Sequence, residues 1–247
     1  MATNPAAIKT VIVENMTNEE FLLRHAQPGC VGLSGGVTLV DQAIRRAERH
    51  LDERARWGSW SHAFIFEGVR LDAHHWVIES DLQFLSKHIQ LGVQENRVDK
   101  YFDANLYTTL AVLDFGLNDE QAGRVVREGL EMVAGRMRYS LRELVGTLVA
   151  LRHQGLRGRG NVMSRERSLY CSAFVQHIFR KAGIDLVPGV DDKNTTPEDI
   201  SRTSVPHTLF VLKRASARTK LEELERRARV GVKARLRWLK NKKISGD

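Results

Sequence analysis

The sequence predicts an α+β fold with a mainly antiparallel sheet, on three observations. Two short apolar segments, SHAFIFEG (61–68) and HHWVIESDL (74–82), are separated by only five residues, which is hairpin spacing. The helical patterns come in a run between strands instead of alternating singly with them. A chain of 247 residues with 42% hydrophobic content is large enough to bury a core between such layers.

The elements follow in order. CVGLSGG (30–36) reads as a turn-rich loop, because glycine and serine dominate it. In the segment 38–57, Leu39, Ala43, Ile44, Ala47 and Leu51 recur at helical spacing, and Thr38 is placed to cap the helix. SHAFIFEG is a strand ended by Gly68, and HHWVIESDL is its hairpin partner across VRLDA. NLYTTLAVLDFG (105–116) is β-branched and apolar, a third strand. The next segment, 117–138, has Asn118 as a cap and acids in its first turn, hence a helix. A second helix is expected over 140–152, then a Gly/Arg-rich loop over 153–167. The helix that contains Cys171 buries Phe174, Val175, Ile178, Phe179 and Ala182, starts at a Ser168 cap and closes at Gly183. VPHTLFVLK (205–213) is the last strand, and a charged helix is expected over roughly 217–243.

Composition excludes several classes. No run of about 18 apolar residues is present, so no transmembrane helix is expected. The first 21 residues lack a basic region followed by an apolar one, so the expected location is cytoplasmic, or exported by a route without a signal peptide. Cys30 and Cys171 alone make no disulfide framework. There is no glycine-rich phosphate loop and no zinc-ligand spacing, and His74 and His75 point to opposite strand faces. The expectation is therefore no metal and no cofactor. Of the net +8, the segment Ala217–Asp247 carries eleven of the 38 basic and four of the 30 acidic residues, or +7. The other 216 residues keep 27 and 26, or +1, so no nucleic-acid partner is expected for the body. Two readings of the tail stand. It lies on an anionic membrane surface, or it packs the stripe Leu221, Leu224, Ala228, Val232, Leu236 and Leu239 on the body.

Cys171 carries the chemistry, if any residue does. At a helix N-terminus the first-turn amides and the dipole favour negative charge, which makes a usable nucleophile, and the Cys171 N–H can serve an oxyanion. The bland alternative is a small buried hydrophobe. A nucleophilic thiol needs a base held by a third group. Strand alternation puts His62, Phe64 and Phe66 on one face and Ala63 and Ile65 on the other. Glu79 on the neighbouring strand offers His62 an orienting carboxylate. The alternative is a solvent-facing His62 beside an edge Glu79. Cys30, in its Gly-rich loop, reads as structural, and His177 as a surface residue.

Four segments, WSHAFIF (60–66), WVIESDL (76–82), LYCSAFVQHIFRKAGIDL (169–186) and TTPEDISRT (195–203), together resemble the circularly permuted branch of the NlpC/P60 papain-like superfamily. The likeness is nearest to YiiX-type permuted amidases, with lecithin–retinol acyltransferase-like proteins further off. It spans about residues 28–213. Histidine and carboxylate precede cysteine, which is the permuted order. The resemblance implies a permuted papain-like fold whose antiparallel sheet packs against helices including the cysteine helix. It implies Cys171 as nucleophile, His62 as base and Glu79 as orienting acid. Tyr170, Trp60 and Ser61, which flank the reacting groups, are the expected substrate contacts. In PGCVGL, Cys30 stands where the family has Asp. The implied activity is a cysteine hydrolase or acyltransferase that cleaves an amide or ester of a cell-wall peptide, a lipid or another small acyl compound. The rival is a non-catalytic binding module of the same fold. The implied organisation is an N-terminal extension (1–27), a catalytic domain (28–216) and a basic helical tail (217–247).

Overall fold

The computed structural model describes residues 7–48, 58–85, 88–135 and 171–214. The helix expected over 140–152, the loop over 153–167, Ser168, Tyr170 and the basic tail lie outside the described residues.

Seven strands form one sheet in the order β1-β7-β6-β2-β3-β4-β5. They are β1 (Lys9–Glu14), β2 (Val31–Gly36), β3 (His62–Val69), β4 (His75–Leu85), β5 (His88–Arg97), β6 (Tyr107–Asp114) and β7 (Thr208–Lys213). The pairs β2–β3, β2–β6, β3–β4, β4–β5 and β6–β7 are antiparallel, in agreement with the expected class. The helices are α1 (Asn18–His25), α2 (Leu39–Ala47), α3 (Asp119–Ala134), α4 (Cys171–Lys181) and the short α5 (Pro197–Ser201). Thr38 and Asn118 cap α2 and α3 as expected, each inside a full capping box. Gly183, at φ +89°, ends α4, and the Ile184 amide bonds back to the Phe179 carbonyl.

Residues 30–36 are not a loop. They contain β2, fully buried and paired on both sides. Glycine is needed there for packing. Gly32 faces Phe64 across the β2–β3 ladder, and a Cβ at Gly32 would overlap the Phe64 ring. Gly68 does not end β3 either. It sits at a bulge within the strand, with φ +124°. Residues 9–25, set apart above as an extension, supply β1 at the sheet edge and α1, whose Phe21 and Leu22 are fully buried. The chain divides into two compact units, Met1–Leu212 and Lys213–Asp247.

The sheet has two cores. On one face Ala63, Ile65 and Ile78 pack with Ala173, Phe174, Val175, Ile178 and Phe179 of α4 and Val125 of α3. Each such aromatic or aliphatic side chain contributes about 1.5–3 kcal/mol on burial. On the other face Phe64, Phe66, Val77 and Tyr101 pack with Phe21 and Leu22 of α1. The expected alternation of β3, with Phe64 and Phe66 opposite Ala63 and Ile65, is observed. Among the described residues no helix is long and apolar enough to cross a membrane.

One buried acid has a testable consequence. Glu48 is 1% exposed, accepts from the Glu198 amide of α5, and faces the carboxylates of Glu198 and Asp199. Burial first, then those charges, push its pKa well above the ordinary 4.5. The folded chain therefore holds this proton to higher pH than the unfolded chain, so the site loses stability as pH rises from 4.5 through the folded value. Glu48→Gln is expected to remove that loss. Its melting temperature should match or exceed wild type at pH 7, with a flatter dependence between pH 5 and 7. Glu48→Ala leaves the Glu198 amide unpaired and should lower it, at about 1–3 kcal/mol. Thermal melts of the two variants across pH check this, and a Glu48→Gln melt well below wild type at pH 7 would contradict it.

Candidate active site

The site lies at the end of the sheet where β3 begins. Ser34, near the end of β2, pairs with His62, the first residue of β3. The backbone before His62 is held tightly. The Ser61 amide donates to the Ser34 carbonyl, and the Ser61 hydroxyl donates to Asp41 Oδ1 at 2.6 Å while accepting from the Gly36 amide. Asp41 is also the acid of the α2 capping box, so one carboxylate ties α2 to the approach of His62. Trp60 is 6% exposed and belongs to the α4-side core, and Ser61 is 2% exposed with its hydroxyl bonded within the protein. Both of these expected substrate contacts are buried.

His62 and Glu79 are brought together. His62 Nε2 lies 2.5 Å from Glu79 Oε2, with 15% of the His62 side chain and none of the Glu79 side chain exposed. Cys171, the buried first residue of α4, neighbours the same imidazole and acts on it electrostatically. With Nε2 engaged by Glu79, Nδ1 is the ring nitrogen left for the sulfur. A structural segment secures both partners. The Ser172 hydroxyl donates to the Thr195 carbonyl at 2.7 Å, and Glu198 of α5 accepts from the Ser59 amide at 3.0 Å. The TTPEDISRT stretch thus fixes the start of α4 and the lead-in to β3 at once, with Thr196 capping α5 and Pro197 in its first turn.

Four donors surround Glu79. Besides His62, Oε2 accepts from the Tyr101 hydroxyl at 2.6 Å. Oε1 accepts from Asn96 Nδ2 at 2.8 Å and from the Lys100 ammonium at 2.6 Å. Lys100 bonds Asp81 Oδ2 as well, at 2.8 Å. None of Asn96, Lys100 and Tyr101 was singled out from the sequence. β5 was missed altogether, although Ile89, Leu91 and Val93 alternate along it, and that alternation was the available signal for Asn96. Nothing in the local pattern marks Lys100 or Tyr101. They sit on a 3-10 turn, Val98–Tyr101, that only the tertiary fold carries under β4.

The charges follow from this packing. Burial favours neutral Glu79, but Lys100 and His62 outweigh it and hold the carboxylate well below the usual range. Burial likewise opposes protonation of His62, and the charges and hydrogen bonds of Cys171 and Glu79 outweigh it, so its pKa is raised well above 6.5. Burial and the neighbouring Glu79 raise the Tyr101 hydroxyl, which stays a donor.

Among the described residues one group has the spacing to hold a metal ion: His62, Glu79 and Asp81, whose ligand atoms lie within 4.8 Å of one another. The Lys100 ammonium already bridges the two carboxylates of that group. A divalent ion there would face a fixed positive charge, so the donor set suits the internal ammonium and not a metal.

The other singled-out residues lie apart from this centre. Cys30 is a buried free thiol at the head of β2, and burial together with Asp114 pushes its pKa far up, which makes it inert. His177 is half-buried and pairs with Asp192 at 3.0 Å, anchoring α4 to the loop that follows.

No family model matches the chain, and no curated protein does. Among solved structures it is similar to the crystal structure of metalloprotein yiiX from Escherichia coli O157:H7, DUF1105, with 12% identity and a TM-score of 0.47 over 77% of this chain and 98% of that one.

Proposed function

We propose that this protein is a cysteine-dependent hydrolase or acyltransferase that cleaves an amide or ester through Cys171, His62 and Glu79. The observation that carries the reading is one imidazole bonded to a fully buried carboxylate and neighbouring a cysteine at a helix N-terminus. In this reading His62 Nδ1 takes the proton of the Cys171 thiol, and the sulfur attacks the carbonyl carbon. The oxyanion that forms is held by the Cys171 amide at the start of α4. Collapse of that intermediate breaks the bond to the leaving group, which collects the proton from His62. Water or an acceptor, deprotonated by His62, then attacks the thioester and frees Cys171. Glu79 holds the ring in one tautomer and stabilises it while it is charged. The resemblance of its segments to the permuted papain-like superfamily favours cell-wall peptides, lipids and other small acyl compounds as substrates.

The test is selective alkylation. Iodoacetamide at pH 7 is expected to modify Cys171 in wild type and in Cys30→Ala, and to leave Cys171→Ala unmodified. His62→Ala should slow the Cys171 reaction by about 10²-fold or more, the usual scale of a lost acid–base partner. Mass spectrometry after incubation with wall-peptide fragments and, separately, with phospholipids should then show an acyl adduct on Cys171 with one of the two. Equal or absent labelling of both cysteines would make the protein a binding module of this fold.

A further inference from the structure

Glu79 needs only one partner to orient His62, yet it has four, and one of them is a cation that the proposed mechanism does not use. A bare ammonium beside Glu79 would weaken the carboxylate's attraction for a charged imidazole. Asp81 answers that cost. It lies two residues beyond Glu79 on β4, and its carboxylate bonds the same ammonium. The charged groups thus alternate in sign from the imidazole through Glu79 and Lys100 to Asp81, with His62, Glu79 and Asp81 donor atoms all within 4.8 Å. Lys100 also lies 5.1 Å from the centre of the Tyr101 ring, whose hydroxyl supports Glu79 from the other side.

We propose that Lys100 and Asp81 are positioning residues of this centre that act on His62 through Glu79: Lys100 draws part of the carboxylate's field away from the imidazole, Asp81 cancels the charge that Lys100 brings, and Asn96 and Tyr101 keep Glu79 on the ring. The role rests on the proposed use of His62 as the base. The arrangement separates geometry from charge. Without Lys100, Asn96 and Tyr101 still hold Glu79, and its field on the imidazole is undivided. Without Asp81, Lys100 keeps Glu79 in place but takes part of its field away from the imidazole. Among the described residues, the titratable and charged groups around His62 are Cys171 from α4, Glu79 and Asp81 from β4, Lys100 and Tyr101 from the 3-10 turn, and, one layer out, Tyr107 of β6 and Asp41 of α2. Among the described residues, Asp81 and Lys100 are the charged groups next to Glu79 that do not touch the ring.

The experiment is the NMR titration of the His62 imidazole in the full chain, which needs no substrate. Asp81→Asn is expected to move the His62 midpoint down by about one pH unit, and Lys100→Met to move it up by a similar amount, as single charges at this range do. The double variant should return near wild type. A purely structural role predicts a different outcome: either substitution would let Glu79 swing off the ring, and both midpoints would fall. Lys100→Arg keeps the charge and both hydrogen bonds, and should titrate like wild type even if Lys100→Met folds poorly. An unchanged or raised midpoint in Asp81→Asn, or a lowered one in folded Lys100→Met, would overturn the proposal. Failure of selective Cys171 alkylation would instead sink the proposed function and leave these titration signs untouched.

Discussion

Glu79→Gln is expected to leave at most about one part in 10⁴ of acyl transfer, measured as the rate of acyl-adduct formation on Cys171. The reason is the donor set. Lys100 at 2.6 Å and Asn96 at 2.8 Å demand an acceptor at Oε1, so the glutamine carbonyl oxygen must take that side. The amide nitrogen then faces His62 and Tyr101, where the carboxylate had accepted from both. His62 Nε2 becomes an acceptor, the ring proton moves to Nδ1, and the nitrogen that should take the thiol proton is already occupied. The Tyr101 hydroxyl, fully buried, loses its acceptor as well. Glu79→Ala goes further. It removes the acceptor of the Tyr101 hydroxyl and one of the two carboxylates that hold Lys100, which should cost about 3–5 kcal/mol. At about 2–4 °C per kcal/mol for a unit of this size, the melting temperature falls by roughly 10 °C. Wild-type adduct rates in Glu79→Gln, with the fold intact by circular dichroism, would reduce Glu79 to a structural residue.

The second large effect lies in the sheet. Gly32→Ala is expected to destabilise the protein by several kcal/mol, although alanine normally suits a strand better than glycine. A Cβ at that position meets three carbons of the Phe64 ring. Phe64 cannot retreat: its ring stacks on Tyr101 at 4.3 Å and meets Phe66 edge-on at 5.3 Å. Overpacking of this kind costs about 1–3 kcal/mol or more. Because Tyr101 carries the hydroxyl that supports Glu79, the damage should reach the site. The Cys171 alkylation rate should fall in the same variant. A melting temperature within a degree of wild type would show that the aromatic stack yields easily.

What the sequence determined by itself is periodic or local. The α2 and α3 caps were legible because Thr38 and Asn118 bond amides three residues on. The α4 stripe was legible because Phe174, Val175, Ile178 and Phe179 repeat at helical spacing on one core. The His62–Glu79 pairing was legible because a tight hairpin of two alternating strands leaves little freedom in where their side chains meet. Tertiary structure decided the rest. β2 hides in glycine-rich sequence because Gly32 makes room for the Phe64 ring of the neighbouring strand, 32 residues away, and Gly35 and Gly36 lie against Thr109 and Asp41. Residues 9–25 acquire their place only when Phe21 and Leu22 find the Phe64–Tyr101 face. The support of Glu79 comes from Asn96, Lys100 and Tyr101, which carry no motif. A buried carboxylate accepts whatever donors the fold brings within about 3 Å, and which donors those are is fixed by the path of the chain, not by any local pattern.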